Sequence, residues 1–142
     1  MSRGELRVEK VEFADAQGAL SHIRLTVFVE EQGVPATLEM DGFDAESLHV
    51  LACLDGAPVG TGRLQPDGHI GRVAVLAAFR RRGIGVAIMK RLVELARLSD
   101  LDAVHLSSQA QAIGFYEGLG FEANGDLYVE AGIDHMDMRM RF

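Results

Sequence analysis

Arg72-Val73-Ala74-Val75, followed after Leu76–Phe79 by Arg80-Arg81-Arg82-Gly83-Ile84-Gly85, is the stretch that decides the fold. It joins an apolar run, Ile70 to Leu76, to a segment where Ile84, Ile88, Leu92 and Leu95 recur at helical spacing. A strand therefore enters a helix through a basic, glycine-containing turn. The first turn of a helix carries free N–H groups and a partial positive charge. Glycines there let backbone approach an anion, and neighbouring arginines add charge and forked donors. The arrangement suits a pyrophosphate held mainly by main-chain amides. Without a ligand, the same residues read as a tight strand–helix turn with exposed arginines.

The flanking sequence supplies the rest of the sheet. Upstream, Leu6, Val8 and Val11 mark a first strand, and Asp15 is placed to cap a helix carrying Leu20, Ile23, Val27 and Phe28. Gly33-Val34-Pro35 ends that helix and opens an irregular acidic stretch. Ser47 to Leu54, the turn signal Asp55-Gly56, Val59 to Leu64 and the Ile70 run predict a three-strand meander. Downstream, Asp102 to Leu106 reads as a strand and Ala110 to Leu119 as a helix ended by Gly120. Phe121 to Tyr128 and His135 to Phe142 read as two closing strands. The class is α/β (α+β): a mixed, mostly antiparallel central sheet of about six or seven strands flanked by helices, in one domain over residues 1–142.

Composition removes several functions. The chain has 142 residues, 48% hydrophobic and 25% charged, enough for a packed core. Its formal charge of −7 argues against a general binder of nucleic acid or anionic membrane. The single cysteine, Cys53, forms no internal disulfide and reads as a buried structural thiol. No apolar run approaches the ~18 residues of a membrane helix, and Met1 to Lys10 lacks a signal-peptide core, so a cytoplasmic location is expected. The charge is segregated. Arg72 to Arg97 holds seven basic residues against one acid, Glu94, whereas Glu30, Glu31, Glu39, Asp41, Asp44 and Glu46 follow one another with no base between them. An anion met in one place and a cation in another would account for both patches.

Three phosphate-binding chemistries compete for the glycine turn. A P-loop needs Lys-Ser/Thr after its last glycine, where Val86-Ala87 stands. A dinucleotide fingerprint needs a small residue where Ile88 stands. Coenzyme A remains. Arg80-x-x-Gly83-x-Gly85 after Arg72-Val73-Ala74-Val75 resembles the acetyl-CoA motif of GNAT-type N-acetyltransferases, and Gln109-x-x-Ala112-x-x-x-Tyr116-x-x-x-Gly120-Phe121 resembles that family's second signature. Gln109 stands where the family commonly has Asn. The two motifs cover roughly residues 47–142. Arg24-x-x-Val27-Phe28-Val29-x-Glu31-Gln32, Glu39-x-Asp41-x-x-Asp44, His49 and Glu130-x-Gly132-Ile133-Asp134-His135-Met136 resemble a bacterial ElaA-like branch.

The resemblance implies a GNAT-like fold and direct transfer of an acetyl group from acetyl-CoA to a primary amine, and the acidic stretch adds the expectation of a small cationic acceptor. It implies cofactor contacts from Val73, Ala74, Val75, Arg80, Arg81, Arg82, Gly83, Ile84, Gly85, Gln109, Ala112 and Tyr116. Tyr116 matches the family's proton donor to the departing thiolate; apart from the resemblance it reads as an aromatic packed with Phe115 and Phe121. Glu31 is the candidate base, directly or through water, with Glu30, Asp41, Asp44 and His49 as rivals. Glu31, Asp41, Asp44, His49 and His135 are the candidate acceptor contacts. The five histidines lack paired metal-ligand spacing, so no metal is expected. The resemblance also suggests a homodimer. The competing class is a non-catalytic acyl-CoA-binding or sensor domain, against which Tyr116 argues, since a binder needs no proton donor there.

Overall fold

The computed structural model describes residues 4–142. The first half runs β1 (Leu6–Val11), α1 (Phe13–Arg24), α2 (Ala36–Glu39), β2 (Leu48–Leu54), β3 (Ala57–Leu64) and β4 (Ile70–Val75). The second runs α3 (Ile84–Leu98), β5 (Ala103–Gln109), α4 (Ile113–Gly118), β6 (Glu122–Ala123), β7 (Tyr128–Glu130) and β8 (Ile133–Arg141). The α/β class stands, but the strands form two four-stranded sheets instead of one sheet of six or seven. The first is antiparallel in the order β1-β2-β3-β4; in the second, β5, β6 and β7 all pair antiparallel with β8. The predicted strand from Phe121 to Tyr128 is broken, because Gly125 turns the chain at φ +98° between β6 and β7.

Local chemistry explains most of the elements. Asp55 and Gly56, both at positive φ, make the tight hairpin between β2 and β3. Helix α1 starts at Phe13 with Glu12 at its N-cap, so Asp15 does not cap it but lies in its first turn, favourably placed for the helix dipole. From Leu25 to Glu31 the helix widens into π-helical turns, where the Gln32 N–H reaches the Val27 carbonyl at 3.1 Å. Helix α3 lies directly on β3. A Cβ at Gly62 would come within 2.7 Å of Ile88 and 2.8 Å of Leu92, so the helix seats itself where β3 has no side chains. Ile84, Ile88, Met89 and Leu92 bury their stripe there.

Strands β4 and β5 run side by side but meet only at one end, where the His105 N–H donates to the Gly68 carbonyl at 3.0 Å. A register shift between Thr61 and Arg63 places a bulge in β4, and Arg72 occupies it at φ +52°. Bulges bend and over-twist a strand. Past the bulge, β4 and β5 enclose a cavity between them in place of a ladder.

The bulge is pinned by ion pairs from the acidic stretch. Arg24 Nε meets Glu39 Oε1 at 2.5 Å with both side chains 3% exposed, and Arg24 Nη1 meets Asp44 at 2.8 Å. Arg63, 1% exposed, holds Asp41 at 2.7 Å and Asp44 at 3.1 Å. Arg72 donates to the Glu39 carbonyl at 2.8 Å and to Asp41 at 3.1 Å. Removing one member of a buried ion pair leaves an uncompensated charge, at a cost of about 3–5 kcal/mol. Arg24→Met should therefore lower unfolding free energy by about that much, read by urea titration. Arg63 hydrogen bonds hold the Asp41 carboxyl well below the usual carboxylate range. A depressed native pKa stabilises the fold above the unfolded value and loses that stabilisation as pH falls through the native one. The wild-type urea midpoint should thus fall progressively below about pH 4.

Candidate active site

The open edge of β4 comes first. The Leu76 N–H donates to the Val59 carbonyl at 2.9 Å, and Ala74 pairs with Thr61. By the alternation of an antiparallel ladder, the peptide groups of Val73 and Val75 then face away from β3, toward β5. The Val75 carbonyl accepts instead from Arg80 Nε at 2.9 Å.

The glycine turn follows. A single 3₁₀ turn, Ala77–Phe79, leads into Arg80, Arg81 at φ +64°, and Gly83 at φ +79° directly before α3. Among the described residues, no side chain caps α3. A Cβ at Gly83 would meet nothing within 4 Å, so the glycine is there for its backbone conformation and the helix start lies open. Val75, Arg81, Gly83, Gly85 and Phe115 border a cavity of about 500 Å³. Arg82 rests on the Phe79 ring, 5.6 Å from its centroid. Arg80 forms a two-pronged pair with Glu31, 2.7 Å between Nη2 and Oε1. That hydrogen bond holds the Glu31 carboxyl below its ordinary range, so the paired group is a weak proton acceptor.

Between the strands lies a second cavity, about 250 Å³, lined by Val73, Ser107, Gln109, Ala112 and Tyr116. The Tyr116 ring packs edge-on against Phe115 and Phe121 at 5.1 and 6.0 Å, so it is both a packing residue and a cavity wall. Burial pushes its phenol above the ordinary value, which keeps it protonated throughout the neutral range. Gln109 and Ala112, from the second sequence motif, share this cavity with Val73 from the first.

A third cavity of about 650 Å³ continues from the second past Ser107 and Arg72. Register builds it. Ser107 stands opposite Asp137, Gln109 opposite His135, and Tyr128 opposite His135. On β8 the alternate residues Met136, Met138 and Met140 turn to the core, as their period of two predicts. Tyr128 donates to Asp137 at 2.8 Å and is hydrogen-bonded to the Ser107 hydroxyl. The His135 ring stacks on Tyr128 at 5.8 Å, and its Nδ1–H donates to the Ile133 carbonyl at 2.7 Å.

Of the acceptor contacts expected from sequence, His135 lines this cleft. Asp41 and Asp44 belong to the arginine network, and His49 is 1% exposed and bonded to the Asp44 carbonyl at 2.8 Å. None of the three borders the cavities along β4 and β5. Sequence reasoning passed over Ser107, Tyr128 and Asp137. Their only early signal was alternation with apolar neighbours, and the register that gathers them is long-range. Among the described residues, no three His, Cys, Asp or Glu side chains are grouped to hold a metal.

Residues 13–142 match the acetyltransferase (GNAT) domain family. The chain is 36% identical to the uncharacterised N-acetyltransferase YjcF of Bacillus subtilis, over 82% of this chain and 86% of that one. It is 32% identical to the protein ElaA of Escherichia coli, covering 84% of each. The crystal structure of an acyl-CoA N-acyltransferase from Pseudomonas aeruginosa superposes with a TM-score of 0.86 at 34% identity, covering 96% of this chain and 99% of that one.

The turn yields a direct test. Gly83→Glu places bulk and negative charge at an open helix N-terminus. It should abolish coenzyme A binding in a calorimetric titration, whereas near-normal affinity would remove the anion site from this turn. Gly83→Ala should bind but lose about 1 kcal/mol of stability, because alanine strains at this φ.

Proposed function

The chain belongs to the GNAT acetyltransferase family and is an acyltransferase, and from that premise we propose that it transfers an acetyl group from acetyl-CoA directly to a primary amine on a small cationic acceptor. The observation that carries this reading is the continuity of the three cavities. Val73 and Ala112 border both the turn cavity and the Tyr116 cavity, and Ser107 and Gln109 border both the Tyr116 cavity and the polar cleft. An anion site, a narrow passage with a phenol and a polar cleft thus lie in sequence.

The residues fit the cofactor. The uncapped start of α3 and the amides from Arg81 to Gly85 suit a pyrophosphate, with Arg81 and Arg82 adding charge. The free edge of β4 offers alternate peptide groups to an amide-bearing arm. Acetyl-CoA supplies the activated acetyl group when bound. A fixed N–H of Val73 or Val75 stabilises the charge that develops on the carbonyl oxygen without reorganising. Tyr116 gives its proton to the leaving sulfur, a task its burial suits. Asp137 and Glu130 in the cleft favour an acceptor that arrives as a cation.

The reading predicts free-thiol release when acetyl-CoA is offered with spermidine, cadaverine or lysine. Binding of acetyl-CoA without turnover of any amine would instead support the sensor class. Tyr116→Phe should cut kcat by ~10²-fold or more, as loss of a positioned general acid does. Its acetyl-CoA affinity should stay within about twofold; equal losses in both would assign the ring to packing alone.

A further inference from the structure

An amine that arrives as an ammonium carries one proton too many to attack a thioester. Glu31 is tied to Arg80, Glu39 and Asp44 to Arg24, and Asp41 to Arg63, so these four carboxylates of the acidic stretch are engaged elsewhere. The cleft offers a different group. Tyr128 has one hydroxyl proton, and it points to Asp137 Oδ1. The Ser107 hydroxyl must then donate to the Tyr128 oxygen, and its own lone pairs are left to accept from the cleft. The chain of donation has one direction: Ser107 to Tyr128 to Asp137. Ser107 is also the member that borders the Tyr116 cavity.

Resting on the acetyltransferase reading, we propose that Ser107, Tyr128 and Asp137 form a proton relay that strips the surplus proton from the acceptor ammonium. Ser107 accepts an ammonium proton while passing its own to Tyr128, which passes its own to Asp137, and Asp137 yields it to water. The nitrogen lone pair so freed forms the bond to the acetyl carbon as the carbon–sulfur bond breaks. The sulfur keeps that electron pair and takes the Tyr116 proton, and the second nitrogen proton restores Tyr116. Per turnover one proton leaves for solvent, as conversion of an ammonium and a thioester into an amide and a thiol requires. Ser107 is the catalytic member because it touches the amine; Tyr128 and Asp137 are positioning residues that act through it.

Other ionisable groups surround the relay. His135 and Arg139 flank Asp137 on β8, His105 shares the face on β5, Glu130 comes from β7, Arg72 comes from β4, and His69 stands just before β4. Histidines change charge mostly below pH 8. The test therefore compares rates at pH 7 with rates between pH 8 and 10, where the acceptor amine becomes neutral by itself.

With the best-turned-over amine among spermidine, cadaverine and lysine, Ser107→Ala, Tyr128→Phe and Asp137→Asn should each lose ~10²-fold in kcat/KM at pH 7. The deficit should shrink below about fivefold near pH 10, because a neutral amine needs no relay. Asp137→Glu should recover part of the loss. A second readout needs no substrate: the Tyr128 phenol, followed by ultraviolet titration against Tyr128→Phe, should titrate higher in Ser107→Ala and lower in Asp137→Asn. A deficit independent of pH, a loss confined to the acceptor KM, or an unmoved Tyr128 titration overturns the relay. Wild-type turnover with unimpaired variants overturns the relay alone. Wild-type protein that binds acetyl-CoA and acetylates none of the amines overturns the acetyltransferase reading and the relay with it.

Discussion

The separation of β4 from β5 is the constraint on which the molecule depends. Two neighbouring parallel strands would ordinarily zip together, and every peptide group along their shared edge would be spent in a ladder. Here a single backbone bond joins them at Gly68 and His105, and the bulge at Arg72 turns β4 aside. What remains is an edge with unspent donors and acceptors, sheltered inside the protein instead of exposed at its rim. Such an edge is ordinarily an aggregation hazard. Flanked by the π-helical turns of Leu25–Glu31 on one side and by β5 and α4 on the other, it lines the cavities between the strands.

Holding that shape costs free energy, and the buried arginine network offsets it. A residue other than glycine at positive φ is strained by about 1–3 kcal/mol. The Arg72 carbonyl accepts from the Thr61 hydroxyl at 2.9 Å, while its guanidinium is held by the Glu39 carbonyl and the Asp41 carboxylate. Arg24, Arg63 and Arg72 face Glu39, Asp41 and Asp44, so three positive and three negative charges balance within one cluster. The acidic stretch that looks like a lure for a cation is therefore a structural clamp, closed by arginines that lie up to 33 residues away in sequence.

This clamp marks the boundary of what sequence reasoning can read. The glycine turn, the amphipathic α3 and the Tyr116 signature are local patterns, and each is found where its period or motif puts it. The hairpin at Asp55-Gly56 was equally legible, because turn chemistry is written in two residues. The role of Asp41 and Asp44 was not, because an unpaired run of acids reads as solvated until a distant Arg24 or Arg63 folds onto it. Ser107 and Asp137 were illegible for the same reason. They meet only through the β5–β8 register, and nothing near either residue in the chain announces the other. The continuous helix predicted from Ala110 begins as a 3₁₀ turn and becomes α-helical only at Ile113, a difference of hydrogen-bond pitch that periodicity does not resolve.

Strand β8 carries two independent inventories. Met136, Met138 and Met140 look inward and belong to the core, with Met138 wholly buried. His135, Asp137 and Arg139 lie on the opposite face, where His135 and Asp137 line the cleft and are placed by register. Exchanges on an exposed strand face commonly change stability by less than about 0.5 kcal/mol. One face of a single strand can therefore drift through new polar combinations while the other keeps the fold intact. A lineage built on this scaffold is free to acquire new acceptors without re-solving its core, which makes diversity of substrate an inexpensive outcome of the architecture.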